Sequence, residues 1–244
     1  MPRTRNLFDP ASPSSFRLSR TKLENYIRCP RCFYLDRRLG VNHPPGFPFN
    51  INSAVDELLK REFDHCRAKG IAHPYMVDAG IKAVPANHPK LDDWRKNFVG
   101  VSYTDPETNL ELFGAIDDLW LGEDGDYIVV DYKATSKQGE VSLDADWQIS
   151  YKRQMEIYQW LIRKNGLPIS NRGWFVYCNG KRDADGFNNK VEFKVSLLPY
   201  DGNDEWVERA LIDAKRTLVK NELPAAKQSC EFCIYRQETA VFEQ

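Results

Sequence analysis

An aspartate and a lysine stand two positions apart in the apolar stretch VVDYK, residues 129–133. Side chains at this spacing in a β-strand project from the same face, so Asp131 and Lys133 are expected to lie side by side. A buried strand carries two charges when they neutralise each other or when they form a reactive site. Both interpretations, an ordinary ion pair and a functional site, are open at this stage.

A second aspartate comes from the residues just before this stretch. Two apolar runs separated by an acidic turn with a glycine predict a β-hairpin. A three-residue loop, residues 123–125, sets Asp117 directly opposite Asp131, whereas a two- or four-residue loop sets Tyr132 there instead. Cross-strand neighbours share a face, so the first register gathers Asp117, Asp131 and Lys133.

Two carboxylates about 5 Å apart on a buried sheet repel, and such a pair persists when it is protonated or bridged by a cation. Hard oxygen ligands suit Mg²⁺ or Mn²⁺, ions that neutralise phosphate and activate water. Lys133 is placed to orient or deprotonate that water, or to stabilise charge in the transition state. Alternation puts Asp118 on the opposite face, so it is not expected to be a ligand.

Apolar periodicity and turn residues predict a mixed α/β (α+β) protein with a small mixed sheet flanked by helices. Residues 71–109 show little pattern beyond a helical turn at 91–96. The remaining elements are helices within residues 18–40, 53–70, 146–166 and 203–221, the hairpin within 109–135, and strands at 173–180 and 190–198. Ser19 and Ser53 are expected to cap the first two helical regions.

Taken together, the motifs resemble the PD-(D/E)XK nuclease superfamily, in particular its RecB-like branch, which includes CRISPR-associated exonucleases with iron–sulfur clusters. The resemblance implies a restriction-endonuclease-like core. It makes Asp117 of GAID and Asp131 of DYK ligands of a catalytic Mg²⁺ or Mn²⁺, and Lys133 the catalytic lysine. QMEIY matches the family's Q-x-x-x-Y motif, whose Gln154 and Tyr158 lie one helical turn apart.

Members of this branch carry a further histidine ligand on an early helix, where this sequence has Asp56. An aspartate is a harder ligand than a histidine and favours Mg²⁺. Ser53 and Asp56 also have the spacing of a helix capping box, which is the structural alternative for Asp56.

Two CxxC motifs lie almost 200 residues apart. From spacing alone, four such thiolates predict a zinc site. The family resemblance instead implies a [4Fe–4S] cluster that ties the chain ends together, with zinc as the alternative. The four cysteines are Cys29, Cys32, Cys230 and Cys233, while Cys66 and Cys178 are expected to be packing residues.

The 244 residues, with 42% hydrophobic residues and a net charge of −1, describe a globular protein without a global basic field. We expect a disordered lead-in over residues 1–15 and a single nuclease domain over 16–244 that joins both cysteine pairs. No apolar run predicts a membrane span or a secretory signal, so a cytoplasmic protein is expected. A basic segment at residues 20–38, with interleaved aromatic residues, is compatible with single-stranded nucleic acid or with a solvated helix.

The leading functional hypothesis is a metal-dependent deoxyribonuclease, an exonuclease on single strands or free ends, in DNA repair, recombination or defence. A second hypothesis is a nuclease-derived module that binds nucleic acid or scaffolds without turnover, suggested by the missing histidine. A third is an accessory subunit of a helicase partner, since the sequence has no nucleotide-binding loop of its own.

Overall fold

The computed structural model describes residues 6–44, 46 and 50–242. Its helices are α1 Arg20–Arg28, α2 Pro30–Arg37, α3 Asn50–Lys69, α4 Pro74–Asp78, α5 Leu91–Trp94, α6 Ile149–Lys164, α7 Trp206–Leu218 and α8 Glu231–Thr239. Its strands are β1 Phe16–Ser19, β2 Ala83–Pro85, β3 Val101–Asp105, β4 Leu110–Gly114, β5 Asp118–Gly122, β6 Tyr127–Thr135, β7 Arg172–Gly180 and β8 Phe193–Asp201. A 3₁₀ turn, Asp146–Gln148, precedes α6.

The chain forms two compact units. The first consists of Met1–Phe47, Ser102–Phe113 and Glu205–Gln244, and the second of Pro48–Val101 and Gly114–Asp204. The prediction of a single domain over residues 16–244 stays a prediction. None of the helices among the described residues is long and apolar enough to cross a membrane.

The second unit is built on a mixed sheet with the strand order β2-β5-β6-β7-β8. β6 and β7 are parallel, and the other neighbouring strands are antiparallel. A parallel pair needs a crossover connection, which α6 supplies between β6 and β7. The α/β layout with a restriction-endonuclease-like core, predicted from the sequence, is confirmed.

Helices cover both faces of this sheet. On one face, α3 buries Leu59 and Phe63 against Trp120, Val130 and Tyr132. On the other face, α6 approaches β7 so closely that a Cβ at Gly173 would lie 2.4 Å from the sulfur of Met155. Alternate residues of β6 therefore belong to two different environments, an aromatic core and the α6 side.

The first unit contains the sheet β1-β4-β3 and the helices α1, α2, α7 and α8. Ser19 caps α1 as predicted, because its hydroxyl accepts a hydrogen bond from the Lys22 backbone N–H at 3.3 Å. Phe8 is buried and its ring packs edge-on against Phe16, with the centroids 5.3 Å apart. The predicted disordered lead-in over residues 1–15 stays a prediction, and residues 1–5 lie outside the described residues.

Several local predictions were wrong. α3 begins at Asn50, so Ser53 lies inside the helix and does not cap it. The residues at 51 and 52 are compatible with a helix, and no proline or glycine stops it there. The apolar run before the hairpin turn divides into β4 and β5, which belong to different sheets. The segment 71–109 contains two short strands, β2 and β3, and a short helix, α4, that its sequence did not predict.

Candidate functional site

The hairpin register places the two central aspartates as predicted. Asp118 pairs with Val130 and Leu121 with Tyr127, and the Gly122 N–H donates to the Asp126 carbonyl at 2.9 Å, which leaves a loop of residues 123–125. Gly125 has φ 86°, the left-handed conformation that this loop requires. Asp117 lies one residue before β5, and its Oδ2 accepts a hydrogen bond from the Tyr132 backbone N–H at 2.8 Å. The three-residue loop is therefore confirmed, and Asp117 stands next to Asp131.

Asp131 is fully buried, and its two oxygens have different environments. Oδ1 accepts a hydrogen bond from Gln154 Nε2 at 2.7 Å. Oδ2 forms an ion pair with the Lys133 ammonium, which donates to it. A buried carboxylate is costly unless a cation balances it, and Lys133 supplies one positive charge beside the two carboxylates of Asp117 and Asp131.

Gln154 connects three of the predicted site residues. Its Nε2 donates to Asp131 and also lies 3.2 Å from the Tyr158 hydroxyl, while its Oε1 lies 3.5 Å from Lys133 Nζ. Gln154 and Tyr158 share one face of α6 because they are four residues apart. The crossover helix thus brings the Q-x-x-x-Y residues back onto the acidic strand β6.

Lys133 is held between charges and rings. Burial would lower the pKa of its ammonium, but the carboxylates of Asp131 and Asp117 outweigh burial and raise that pKa. Its Nζ lies 4.6 Å from the centre of the Tyr151 ring, a cation–π distance. The side chain of Lys133 is therefore protonated and positively charged.

Asp117 has a strongly perturbed acidity. Burial and the nearby negative charge of Asp131 raise the pKa of this carboxyl to about 7, against the opposing effect of Lys133. Perturbed carboxyl groups of this kind are frequent at sites that bind a cation or transfer a proton.

Asp56 lies on α3, near enough to contribute to the raised pKa of Asp117. It forms an ion pair with Lys60, one turn later, at 2.7 Å. The capping-box alternative is wrong, because Asp56 is in the seventh position of α3 and not in its first turn. Among the described residues, Asp56, Asp117 and Asp131 do not form a ligand cluster as tight as that of the four cysteines of the CxxC motifs.

Four cysteines of the first unit come together, as the sequence predicted. The sulfur atoms of Cys29, Cys32, Cys230 and Cys233 lie within 4.8 Å of one another. Each CxxC motif opens a helix: Cys29 is the N-cap of α2, and Cys230 is the N-cap of α8. A helix N-terminus favours a thiolate because its backbone N–H groups carry partial positive charge.

Cys29 shows this effect in its acidity. Burial alone would raise the pKa of its thiol, but backbone hydrogen bonds from Lys227 and Cys32 lower it to about 7. Of the other two cysteines, Cys178 is buried in the aromatic core of the second unit, as predicted, and burial raises its pKa to about 11. Cys66 lies on α3 of the second unit and is partly buried.

A family model for the PD-(D/E)XK nuclease superfamily matches residues 17–237. The chain belongs to this superfamily. No curated protein matches the sequence. Seven chains of solved structures match, and one of them is described as "Crystal structure of SSO0001", with 14% identity, a TM-score of 0.42, and coverage of 91% of this chain and 84% of that chain.

A buried charge network that the sequence did not predict lies beside the hairpin of this nuclease-family chain. Asp118 is fully buried and receives hydrogen bonds from Arg67, from Arg95 at 2.6 Å and from the Tyr132 hydroxyl at 2.9 Å. The Nε of Arg95 also donates to the backbone oxygen of Asp117 at 3.1 Å. Asp118 faces away from Asp131, as predicted, and the network fixes the backbone that carries Asp117. The signal was an acid in an apolar strand, which needs buried cations somewhere in the chain.

The basic segment of residues 20–38 serves packing more than predicted. Phe33 and Tyr34 are buried, and the Tyr34 hydroxyl donates to the Lys220 backbone oxygen at 2.8 Å. Lys22 and Arg37 both pair with the buried Asp36, at 2.6 Å each. These two aromatic rings are thus unavailable for stacking on nucleic acid.

Proposed function

We propose that this protein is a metal-dependent nuclease that hydrolyses phosphodiester bonds of DNA. The observation that carries the proposal is that the carboxylates of Asp117 and of the buried Asp131 lie close together and share the Lys133 ammonium. The raised pKa of Asp117 beside it fits two carboxylates that share a cation-binding position. The membership in a nuclease superfamily supports the same activity.

The donor set of the site suits a hard divalent cation. Asp117 and Asp131 would hold Mg²⁺ or Mn²⁺, with Asp56 as the third carboxylate in place of the histidine that related nucleases use. When bound, the ion supplies neutralisation of phosphate charge and activation of water. Mg²⁺ commonly keeps several waters and binds through few carboxylates. It can therefore be held by aspartates that form no tight cluster, as Asp56, Asp117 and Asp131 do not.

The chain's own residues divide the remaining tasks. Lys133 holds a positive charge beside Asp131, where it can orient the attacking water and stabilise charge that develops on the phosphate. Gln154 holds Oδ1 of Asp131 by a hydrogen bond, and Oδ2, which pairs with Lys133, is the oxygen that would bind the cation. Tyr158, hydrogen-bonded to Gln154, positions that amide. The proposed catalytic set is thus Asp117, Asp131, Lys133, Gln154 and Tyr158.

A module that binds nucleic acid or scaffolds a helicase partner without turnover is the second candidate. It is favoured by the Asp56–Lys60 and Asp131–Lys133 ion pairs, because a carboxylate neutralised by a lysine is a weaker metal ligand. A nucleic-acid complex with no hydrolysis in either metal would support it.

End-labelled single- and double-stranded DNA, incubated with the full chain in Mg²⁺ or Mn²⁺, tests the proposal. We expect metal-dependent cleavage that EDTA abolishes, and the labelled end shows whether digestion starts at free termini. A parallel RNA substrate measures sugar preference. Intact substrate in both metals, at enzyme in excess over DNA, would refute the nuclease proposal.

The raised pKa of Asp117 predicts how pH affects the metal-free protein. Between pH ~4 and the folded pKa of about 7, the native state keeps a proton that the unfolded state has lost. The unfolding free energy therefore falls as pH rises through this range, and a cation that displaces the proton binds better above pH 7.

Melting curves with and without Mg²⁺ across this range check the prediction. We expect the stabilisation by Mg²⁺ to grow as pH rises through about 7. Asp117→Asn should remove this pH dependence, whereas Asp124→Asn, in the exposed hairpin loop, should preserve it. An equal response of the wild type and Asp117→Asn would contradict the assignment.

The four cysteines form a metal centre in our proposal, and their spacing favours zinc over the [4Fe–4S] cluster. Sulfur–sulfur distances are 3.5 Å for Cys32 to Cys230 and to Cys233, and 3.8 Å for Cys29 to Cys233. Two thiolates bound to one tetrahedral ion at ~2.3 Å lie ~3.8 Å apart. Thiolates bound to different irons of a cluster lie farther apart.

We expect anaerobically purified protein to contain equimolar zinc and no visible absorption from iron. Because the centre joins residues about 200 positions apart, Cys233→Ser should lose the metal and lower the melting temperature by roughly 10 °C or more. Cys66→Ser, outside the cluster, is the matched control. Iron with a broad visible absorption band would establish the cluster and overturn the zinc assignment.

A further inference from the structure

The turn that leads into α6 carries an exposed tryptophan, Trp147. Its side chain is 60% exposed, although tryptophan is among the largest apolar residues and is usually covered. Ile149, two residues later, is 46% exposed. An apolar surface of this kind beside a candidate active site is a common mark of a binding surface.

The turn that presents Trp147 is rigid. The side chain of the buried Gln148 accepts a hydrogen bond from the Ala145 N–H at 2.9 Å and donates to the Ser142 carbonyl at 2.6 Å. The hydroxyl of Ser150 donates to the Trp147 carbonyl at 3.0 Å. Three side-chain hydrogen bonds thus hold the backbone that carries the exposed ring, which lowers the entropy lost when a ligand binds there.

The ring is connected to the candidate catalytic lysine. Trp147 packs edge-on against Tyr151, with centroids 5.3 Å apart and the planes at 83°. Tyr151 in turn lies 4.6 Å from Lys133 Nζ. In an edge-to-face pair Tyr151 covers at most one face of Trp147, and the exposed ring therefore offers a face to a planar ligand.

The charges around Trp147 indicate which part of a nucleotide it would take. Asp144 and Asp146, in the same turn, are exposed and would repel a phosphate. The ammonium of Lys133, which contacts the Tyr151 ring, attracts a phosphate. A nucleotide seated with its phosphate toward Lys133 would place its uncharged base at Trp147.

We propose that Trp147, supported by Tyr151, is a stacking site for a nucleobase next to the bond that is cleaved. The inference rests on the proposed nuclease function and adds its substrate class: strands whose bases are unpaired, either single-stranded DNA or a frayed end. Stacking on an aromatic face is possible for every base, so the site selects unpaired strands without selecting sequence.

Binding measured without hydrolysis tests the site independently of catalysis. Fluorescence anisotropy with a short labelled oligothymidylate in Ca²⁺ gives the affinities of the wild type, Trp147→Ala and Trp147→Phe. We expect Trp147→Ala to weaken binding about tenfold, as alanine does at other base-stacking aromatics. Trp147→Phe should restore most of it, and Phe187→Ala, which removes another exposed ring of this unit, should bind like the wild type.

An abasic strand of the same length separates stacking from a structural effect. The wild type should bind it as weakly as Trp147→Ala does, and Trp147→Ala should not distinguish the two strands. The salt dependence of binding should be the same in both proteins, because phosphate contacts are retained. Equal affinity of the wild type for both strands, or no binding at all, would overturn the stacking site.

Cleavage is a separate readout. Base-dependent binding at Trp147 without hydrolysis in Mg²⁺ or Mn²⁺ would refute the nuclease proposal and leave the stacking site standing. Hydrolysis with equal binding by the wild type and Trp147→Ala would refute the stacking site alone.

Discussion

Asp131→Asn is expected to reduce DNA cleavage in Mg²⁺ by about 10³-fold, the order of loss seen when one preorganised electrostatic group is removed. The amide has nearly the shape of the carboxylate and can still accept the hydrogen bond of Gln154 through its oxygen. What it loses is the negative charge of the buried Oδ2, which a divalent cation requires. The carboxylate of Asp117 stays near Lys133 and balances its charge, so the effect should fall on catalysis and metal affinity more than on folding.

Initial rates of cleavage at saturating DNA, titrated with Mg²⁺ and with Mn²⁺, measure this loss. Asp124→Asn, in the exposed loop of the same hairpin, makes the same chemical change and should cleave at the wild-type rate. Circular dichroism and the melting temperature verify that Asp131→Asn is folded. Wild-type cleavage by folded Asp131→Asn would exclude Asp131 from the catalytic set.

Local sequence signals were enough to predict the arrangement around VVDYK. The loop at residues 123–125 has the turn chemistry of one hairpin class, and that class fixes the register of Asp117. The spacing of Gln154 and Tyr158 fixes their shared helical face in the same way. Both relations depend on residues close in the chain, where the geometry of turns and helices leaves few alternatives.

Contacts between distant segments were not predicted. β2 has three residues and lies at the edge of its sheet, so it carries too little periodicity to be recognised. Arg67 on α3 and Arg95 after α5 meet at Asp118, but no local pattern distinguishes them from exposed arginines. The exposure of Trp147 was also not predicted, because an amphipathic pattern does not show which apolar residues of a turn remain uncovered.

The network at Asp118 predicts a large effect of a single substitution on stability. Asp118 has no exposed surface, and the side chains of Arg67 and Arg95 are only 10% and 9% exposed. Burial would lower the pKa of Arg95, but Asp118 and Asp64 outweigh it and raise that pKa, so the guanidinium stays charged. Replacing one partner of a buried ion pair leaves the other charge uncompensated, which costs about 3–5 kcal/mol.

We therefore expect Asp118→Ala to lower the free energy of unfolding by about 3–5 kcal/mol, which corresponds to a fall in melting temperature of roughly 10 °C. Urea unfolding followed by circular dichroism measures this loss, with Asp124→Ala as the exposed control of the same hairpin.

Asp64 limits the loss, because Arg67 would retain this exposed partner at 3.2 Å and Arg95 would retain it at 2.8 Å. A change below ~1 kcal/mol would mean that Asp64 and water replace Asp118 fully, and that the buried network does not hold the Asp117 backbone. Because Arg95 also binds that backbone, Asp118→Ala should weaken Mg²⁺ binding even in the fraction that remains folded, whereas Asp131→Asn should weaken it without the loss of stability.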